Sequence, residues 1–346
     1  MADMNIATPR FYTDLISYNI ARGIAQNGNY DIQATNSGDD LVGIASGGGS
    51  EMDLFDLRPL NQVTFNTNRT ATEKGDHVVI TLDMLGSHTI NYIAILNHNL
   101  TSSTGKIRVS ASDTKSHVEE ADFGSATAIS SVSEIVNADT ISSNIINPAT
   151  DGSTIFTFTG SHLRYWGIQF EGVAPNFSST ALKIGSIIMG KYYDMPHAPD
   201  LSVKRSVNYD TNKIRKSLGG QRYGQMINVG RTATSTSKSP FTTTSNKYEI
   251  HGGRLEYEMN FSYLQNTDSM PEEYGSVEYS DTSFVGNVWN ITDGNHRPFI
   301  FSVDNTSTGD EAESEHIFAR FDQDSLDMNQ SAHNVFNMSL NLSEEF

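Results

Sequence analysis

Apolar and polar positions along this chain follow two rhythms, and neither is helical over a long stretch. In residues 254–264, Leu255, Tyr257, Met259, Phe261 and Tyr263 alternate with Arg254, Glu256, Glu258, Asn260 and Ser262. A period of two marks a strand with one face on a core and the other in water. Phe336, Met338, Leu340 and Leu342 repeat the rhythm near the end of the chain, and Ile107, Val109 and Ala111 repeat it beside Arg108 and Ser110. Residues 78–82 and 90–96 are instead runs rich in β-branched residues and too short for buried helices. Gly86 and Ser87 read as the break between them, giving a hairpin or sandwich signature. Further strands are predicted at 155–158, 165–170 and 182–189, with shorter apolar pieces at 297–302 and 316–321. Trp166, Ile168 and Phe170 share one face, which makes Trp166 a core anchor.

Helical signals are few. Residues 11–23 carry Thr13 as an N-cap, Leu15, Ile16 and Ile20 at helical spacing and Gly23 as a stop, so a short helix is predicted, with a strand as the alternative. A second helix is predicted at 283–288. Residues 28–50 read as a loop around a weak strand at 41–45, and the 232–245 stretch of Ser, Thr and Ala as another loop. Asn97 and His98 read as a turn after a buried strand. The fold class is therefore all-β with few short helices.

A length of 346 residues implies two domains. Pro196 and Pro199 lie among polar residues, as boundaries often do. The division is an N-terminal segment at 1–50, which either completes the second module or stands apart, a first module at 51–193, a linker at 194–200 and a second module at 201–346. There is no run of 18 apolar residues and no basic-then-apolar start, so neither a membrane span nor a signal peptide is expected, and synthesis in a cytoplasm is. The chain has no Cys, which removes disulfides and thiolate metal sites.

Charge changes the picture. The net charge is −18, against a general nucleic-acid binder. Residues 183–254 nevertheless hold 12 basic and 4 acidic side chains, while residues 255–346 hold 2 and 18. Either the blocks compensate each other inside one fold, or they are complementary surfaces that meet between copies. The basic block puts Lys204, Arg205, Lys213, Arg215, Lys216 and Arg222 forward as inter-subunit contacts, and Tyr192 and Tyr193 as surface aromatics.

Catalytic and metal-binding patterns are missing: no His-Glu-x-x-His, P-loop, Gly-x-Ser-x-Gly or dinucleotide-binding glycine pattern occurs. The ten His are scattered singly. Asp322, Asp324 and Asp327 lack the glycine and terminal Glu of a calcium loop. The clustered carboxylates at 272–273, 311–315 and 322–324 read as solvated loops. No catalytic residue, cofactor or metal is expected, and the chain does not read as an enzyme.

In order, LFDLRPLNQVTF, VVITLDM, TINYIAILNHNL, KIRVSASD, LRYWGIQFEG and ALKIGSIIMGKYYD resemble the discoidin-like, galactose-binding-type jelly roll found in phage virion proteins. The phrase from Ala94 to Leu100 and the closing strand from Ile184 to Gly190 carry most of that likeness. GGRLEYEMNF, GNHRPFIFSVD, ARFDQDSLDM and NVFNMSLNLSEEF resemble the tail-tube-type β-fold, a barrel or sandwich, of the ring-forming distal tail proteins of tailed bacteriophages. That family places its tube-like part first, a departure here. The resemblance implies a virion structural protein of the tail end or baseplate, partnered by copies of itself in a hexameric ring and by other tail proteins, and located in the virion. Alternatives are a carbohydrate- or host-surface-binding module, or a head decoration or head-to-tail connector protein.

Overall fold

Two antiparallel sheets organise the described residues, and the 90–96 run lies where they meet. The computed structural model describes residues 7–23, 30–33, 41–67, 77–119, 123, 125–138, 140–142, 144–172, 177–208, 212–226, 240–241, 254–271, 282–309 and 312–345. Of the loop predicted at 232–245, only Pro240 and Phe241 are among them.

The first sheet is built on two long partners, His77–His98 and Gly152–Gly172. Each serves both layers of a sandwich. Residues 77–83 pair with 165–171 beside Tyr30–Gln33 and Gly105–Ser112, whereas residues 90–98 pair with 152–161 beside Ser186–Gly190 and Ser133–Val136. The change of layer falls where Leu85 takes a φ of 60° and the ladder slips between Leu163 and Tyr165. Gly86 and Ser87 therefore lie within one bent strand and do not break it into a hairpin. The strands predicted at 155–158 and 165–170 are likewise one strand. The same two strands face each other on both sides of the bend, so pairing resumes after a bulge-like irregularity. Val78, Ile80, Leu82, Ile93, Ile95, Ile107, Val109, Ile168 and Phe170 fill the jelly-roll core around a fully buried Trp166.

The second sheet runs in the order Tyr192–Asp194, Arg10–Tyr12, Phe299–Ser302, His316–Phe321, Val335–Glu344, Arg254–Leu264, Lys204–Asn208. Its inner face, including Phe11, Met259, Phe261, Phe299, Phe301 and Leu340, packs on Phe284 and Val288 of the helical segment that contains Val285–Trp289. Arg10–Tyr12 is an internal strand: Arg10 pairs with Asp194 on one side and Ser302 on the other. Its guanidinium holds the Asp194 carboxylate at 2.5 and 2.8 Å and lies 4.2 Å from the Tyr192 ring centroid. The jelly roll thus leaves and re-enters this sheet between two neighbouring strands.

Where the sheets meet, Tyr12, Ile300 and Phe318 pack on Tyr92, Ala94, Leu96, Ile155 and Ile188. Strands there are covered on both faces, so 186–190 and 299–302 are buried at every position and read as unbroken apolar runs. Arg254–Leu264 and Val335–Glu344 keep one face in water and so keep the alternation. Tyr263 leaves that alternation: its φ is 65°, the register slips between Phe261 and Leu264, and it is 79% exposed while Leu264 takes the inward place.

The helix is Leu15–Ala21, and its N-cap is Asp14, one residue beyond Thr13. Asp14 accepts from the Ile16, Ser17 and Met189 amides, so one buried carboxylate caps the helix and ties it to the jelly roll. Burial raises its pKa, and those amides pull it down. The Tyr92 hydroxyl donates to the Thr13 carbonyl at 2.7 Å. A Cβ on Gly190 would fall on that carbonyl oxygen, and one on Gly185 on the carbonyl of Pro59. Both glycines of the closing strand are sites of close backbone approach.

Candidate assembly surface

After Lys204–Asn208 the sequence SVNYDTNKIRKSLGGQRYGQM turns from the sheet into a hairpin, Asn212–Lys216 against Arg222–Met226. Among the described residues its two strands pair with each other alone. Ser217 closes the turn, its amide donating to the Gln221 carbonyl and its hydroxyl accepting from the Gln221 amide, while Gly220 supplies a φ of 87°. We refer to this hairpin as the arm.

Five of the nine large apolar side chains that are exposed among the described residues lie on the arm or its root: Leu201, Val207, Ile214, Leu218 and Tyr223. Ile214 is 71% exposed and Tyr223 59% exposed. Isolated two-stranded hairpins are marginal in water, and exposed apolar patches mark interaction sites. The arm has the composition of a contact surface.

The basic block divides at the arm's root. Lys204 reaches Glu258 at 3.1 Å, the Arg205 guanidinium stands 5.7 Å from the Tyr257 ring, and Ser206 and Asn208 donate to Glu256. Arg254 and Arg320 share Glu345 at 3.2 and 3.3 Å. At the root, compensation is internal. On the arm, Arg215, Lys216 and Arg222 are exposed and make no ion pair among the described residues. Lys213 occupies the same strand opposite Gln225. Lys216 lies directly opposite Arg222 and Arg215 opposite Tyr223, so each face of the hairpin presents basic charge.

Tyr192 and Tyr193 are not surface aromatics. Both lie on the Tyr192–Asp194 strand, where Tyr193 is 8% exposed, packs on Phe284 and donates to the Asp268 carbonyl. Tyr192 sits under Arg10 and beside Tyr12. Their Tyr-Tyr-Asp sequence follows a glycine strand and resembles a loop, but pairing with Arg10–Tyr12 leaves Tyr193 buried and Tyr192 half-buried. The alternation of Lys213 and Arg215 shows a strand; that it pairs with Arg222–Met226 and, among the described residues, with neither large sheet has no local signature.

Two further groups are notable. His98 is fully buried, bonded to the Thr154 hydroxyl at 2.8 Å, and burial pushes its pKa down to about 3. Asn97, with φ 52°, makes the turn beside it. At the bend of the long strands, Asp83 holds Arg164 at 2.7 and 2.9 Å, and the guanidinium lies 4.8 Å from the Tyr165 ring. Thr89 meets His162 at 3.2 Å next to them. Among the described residues no group of three His, Asp or Glu is placed to hold a metal, and no helix is long and apolar enough to cross a membrane.

No protein-family model and no curated protein matches this chain. Among solved structures, chitosan-binding module 1 derived from a chitosanase/glucanase of Paenibacillus sp. IK-5 aligns at 12% identity and TM-score 0.31, over 48% of this chain and 97% of its own. CBM32-1 from a family 31 glycoside hydrolase of Clostridium perfringens aligns at 15% identity and TM-score 0.30, over 47% of this chain and 95% of its own. Truncated AlyQ, with CBM32 and alginate lyase domains, aligns at 13% identity and TM-score 0.26, over 70% of this chain and 52% of its own. These scores are low, and the jelly-roll assignment rests on the strand order and pairing given above.

Proposed function

We propose that this chain is a structural subunit that works by association, joining copies of itself and neighbouring proteins through the arm, with the jelly roll carried on a rigid second sheet. The observation that carries this reading is the crowding of exposed apolar side chains onto residues 201–223. A hairpin of that composition gains stability from a partner that covers it. In the setting implied by the sequence resemblance, the subunit belongs to a tail-end or baseplate ring of a tailed phage. The inserted topology supports placing residues 7–12 in the same module as residues 254–344, because they share one sheet. Native mass in solution and electron microscopy of purified particles test the reading. A strict monomer absent from such particles refutes it.

A second reading makes the jelly roll a glycan-recognition module. What favours it is the half-exposed group at the bend, where Arg164, Tyr165, Asp83 and His162 bring planar polar groups beside an aromatic face. Screening on a glycan array, with Tyr165→Ala as the control, tests it; no binding above the variant ends it.

A further inference from the structure

The arm is charged against itself. Lys216 and Arg222 face each other across the hairpin, and like charges directly opposite destabilise a strand pair. Ile214 lies on that same face, exposed, two residues along. The opposite face presents Arg215 beside an exposed Tyr223. A partner that relieves both features is anionic, with apolar side chains set among the charges.

The chain carries such a surface. Between His316–Phe321 and Met328–Ala332, the segment 322–327 exposes Asp322, Asp324 and Asp327. Among the described residues these carboxylates make no ion pair; Asp324 accepts from Asn295 and Asp327 from Ser325. Leu326 and Met328, each only half-buried, sit among them. The segment is held rigidly: the Asp322 amide donates to the Asn341 carbonyl, and Gln323 bonds both the Ser325 carbonyl and the Asn341 amide.

We propose that the arm of one copy docks on the 322–327 segment of a second copy through the face that carries Lys216, Arg222 and Ile214, with Lys216 and Arg222 meeting Asp322, Asp324 and Asp327, and Ile214 meeting Leu326. The two surfaces are different, so the contact is head-to-tail, and repeated it gives either a closed ring or an open filament. Among the described residues Lys216 and Arg222 of the arm make no ion pair, and the partner segment belongs to the acidic 255–346 block. Charge pairs of this kind set register and association rate, and salt weakens them. This inference rests on the reading of the chain as an associating subunit.

The test uses the full chain in three forms: wild type, an arm variant (Lys216→Glu, Arg222→Glu) and a segment variant (Asp322→Lys, Asp324→Lys, Asp327→Lys). Light scattering and sedimentation give the mass at low and high salt, and circular dichroism checks that each variant keeps its β-structure. The expected result is an oligomer for wild type that weakens with salt and a loss of association by at least about ten-fold in each variant. Mixing the two variants restores a complex, because the reversed arm then meets the reversed segment. If wild type oligomerises and both variants do so equally well, the docking site is wrong while the associating reading stands. If the variants fail and their mixture also fails, the arm meets some other surface, and the proposal is overturned. A wild-type chain that stays monomeric at every salt concentration removes the associating reading itself.

Discussion

Acidification through the imidazole range should destabilise this protein, because folding shuts two histidines away from water. Burial pushes His98 down to about 3, and His316 to about 4 against the opposing pull of the Ala312 carbonyl at 2.8 Å. In the unfolded chain both titrate near 6.5. Below that value the unfolded state binds two protons that the folded state excludes, so stability falls as pH falls and keeps falling until the folded values are reached. At about pH 5 each histidine is roughly 1.5 units below its unfolded pKa, worth about 2 kcal/mol at about 1.4 kcal/mol per unit, or about 4 kcal/mol for the pair. Asp14 has the opposite sign: its raised pKa gives a contribution that is present below 3.8 and lost as pH rises through the folded value, so it offsets part of the histidine loss. Asp83 is held below 3.8; burial works against this, but Arg164 and the Leu85 amide outweigh it, so its contribution is lost only in stronger acid. Urea unfolding at successive pH values from about 8 to about 5 measures the slope, with His98→Gln and His316→Gln each removing about 2 kcal/mol of the loss at pH 5. The slope matters, since each substitution also shifts the absolute stability. If the double variant loses as much stability between those pH values as wild type does, the histidines are not the cause and the reasoning fails.

Three other outcomes follow from the packing. Gly190→Ala drives a methyl group onto the Thr13 carbonyl, which already accepts the Tyr92 hydroxyl, and should cost about 1–3 kcal/mol in urea unfolding; a change within error would mean the two sheets give way more easily than described. Tyr92→Phe leaves that carbonyl without its donor at the junction, and thermal melts should show a loss of about 1–3 kcal/mol. Trp166→Ala empties the centre of the jelly-roll core and should cost about 3–5 kcal/mol, with near-UV circular dichroism reporting loss of its packed environment.

Particular strands show how much could be read before any fold was known. The alternation of Leu255, Tyr257, Met259 and Phe261 named the inward face of one strand, and the β-branched run at 90–96 marked another strand. The candidate contact residues were harder. Local pattern identified Lys213, Arg215 and Lys216 as strand residues, but the same pattern fits a strand inside a sheet. Tyr192 and Tyr193 failed for the converse reason, since a polar-flanked aromatic pair at a predicted boundary gives no sign of the strand that will cover it.

The sequence alone determined the all-β class, the core face of each alternating strand, Trp166 as an anchor and the uneven division of charge. These are set by side-chain chemistry repeating at the two-residue period of a strand, which is a local property. Tertiary structure alone decided that Arg10 pairs with Asp194, a separation of 184 residues, and with Ser302 beyond the whole jelly roll. It alone decided that the strand bends at Leu85 and runs on through Gly86, that Tyr263 turns outward, and that the arm joins neither large sheet among the described residues. Each of these depends on which distant backbone groups satisfy one another's hydrogen bonds, and no spacing within a strand records its partner.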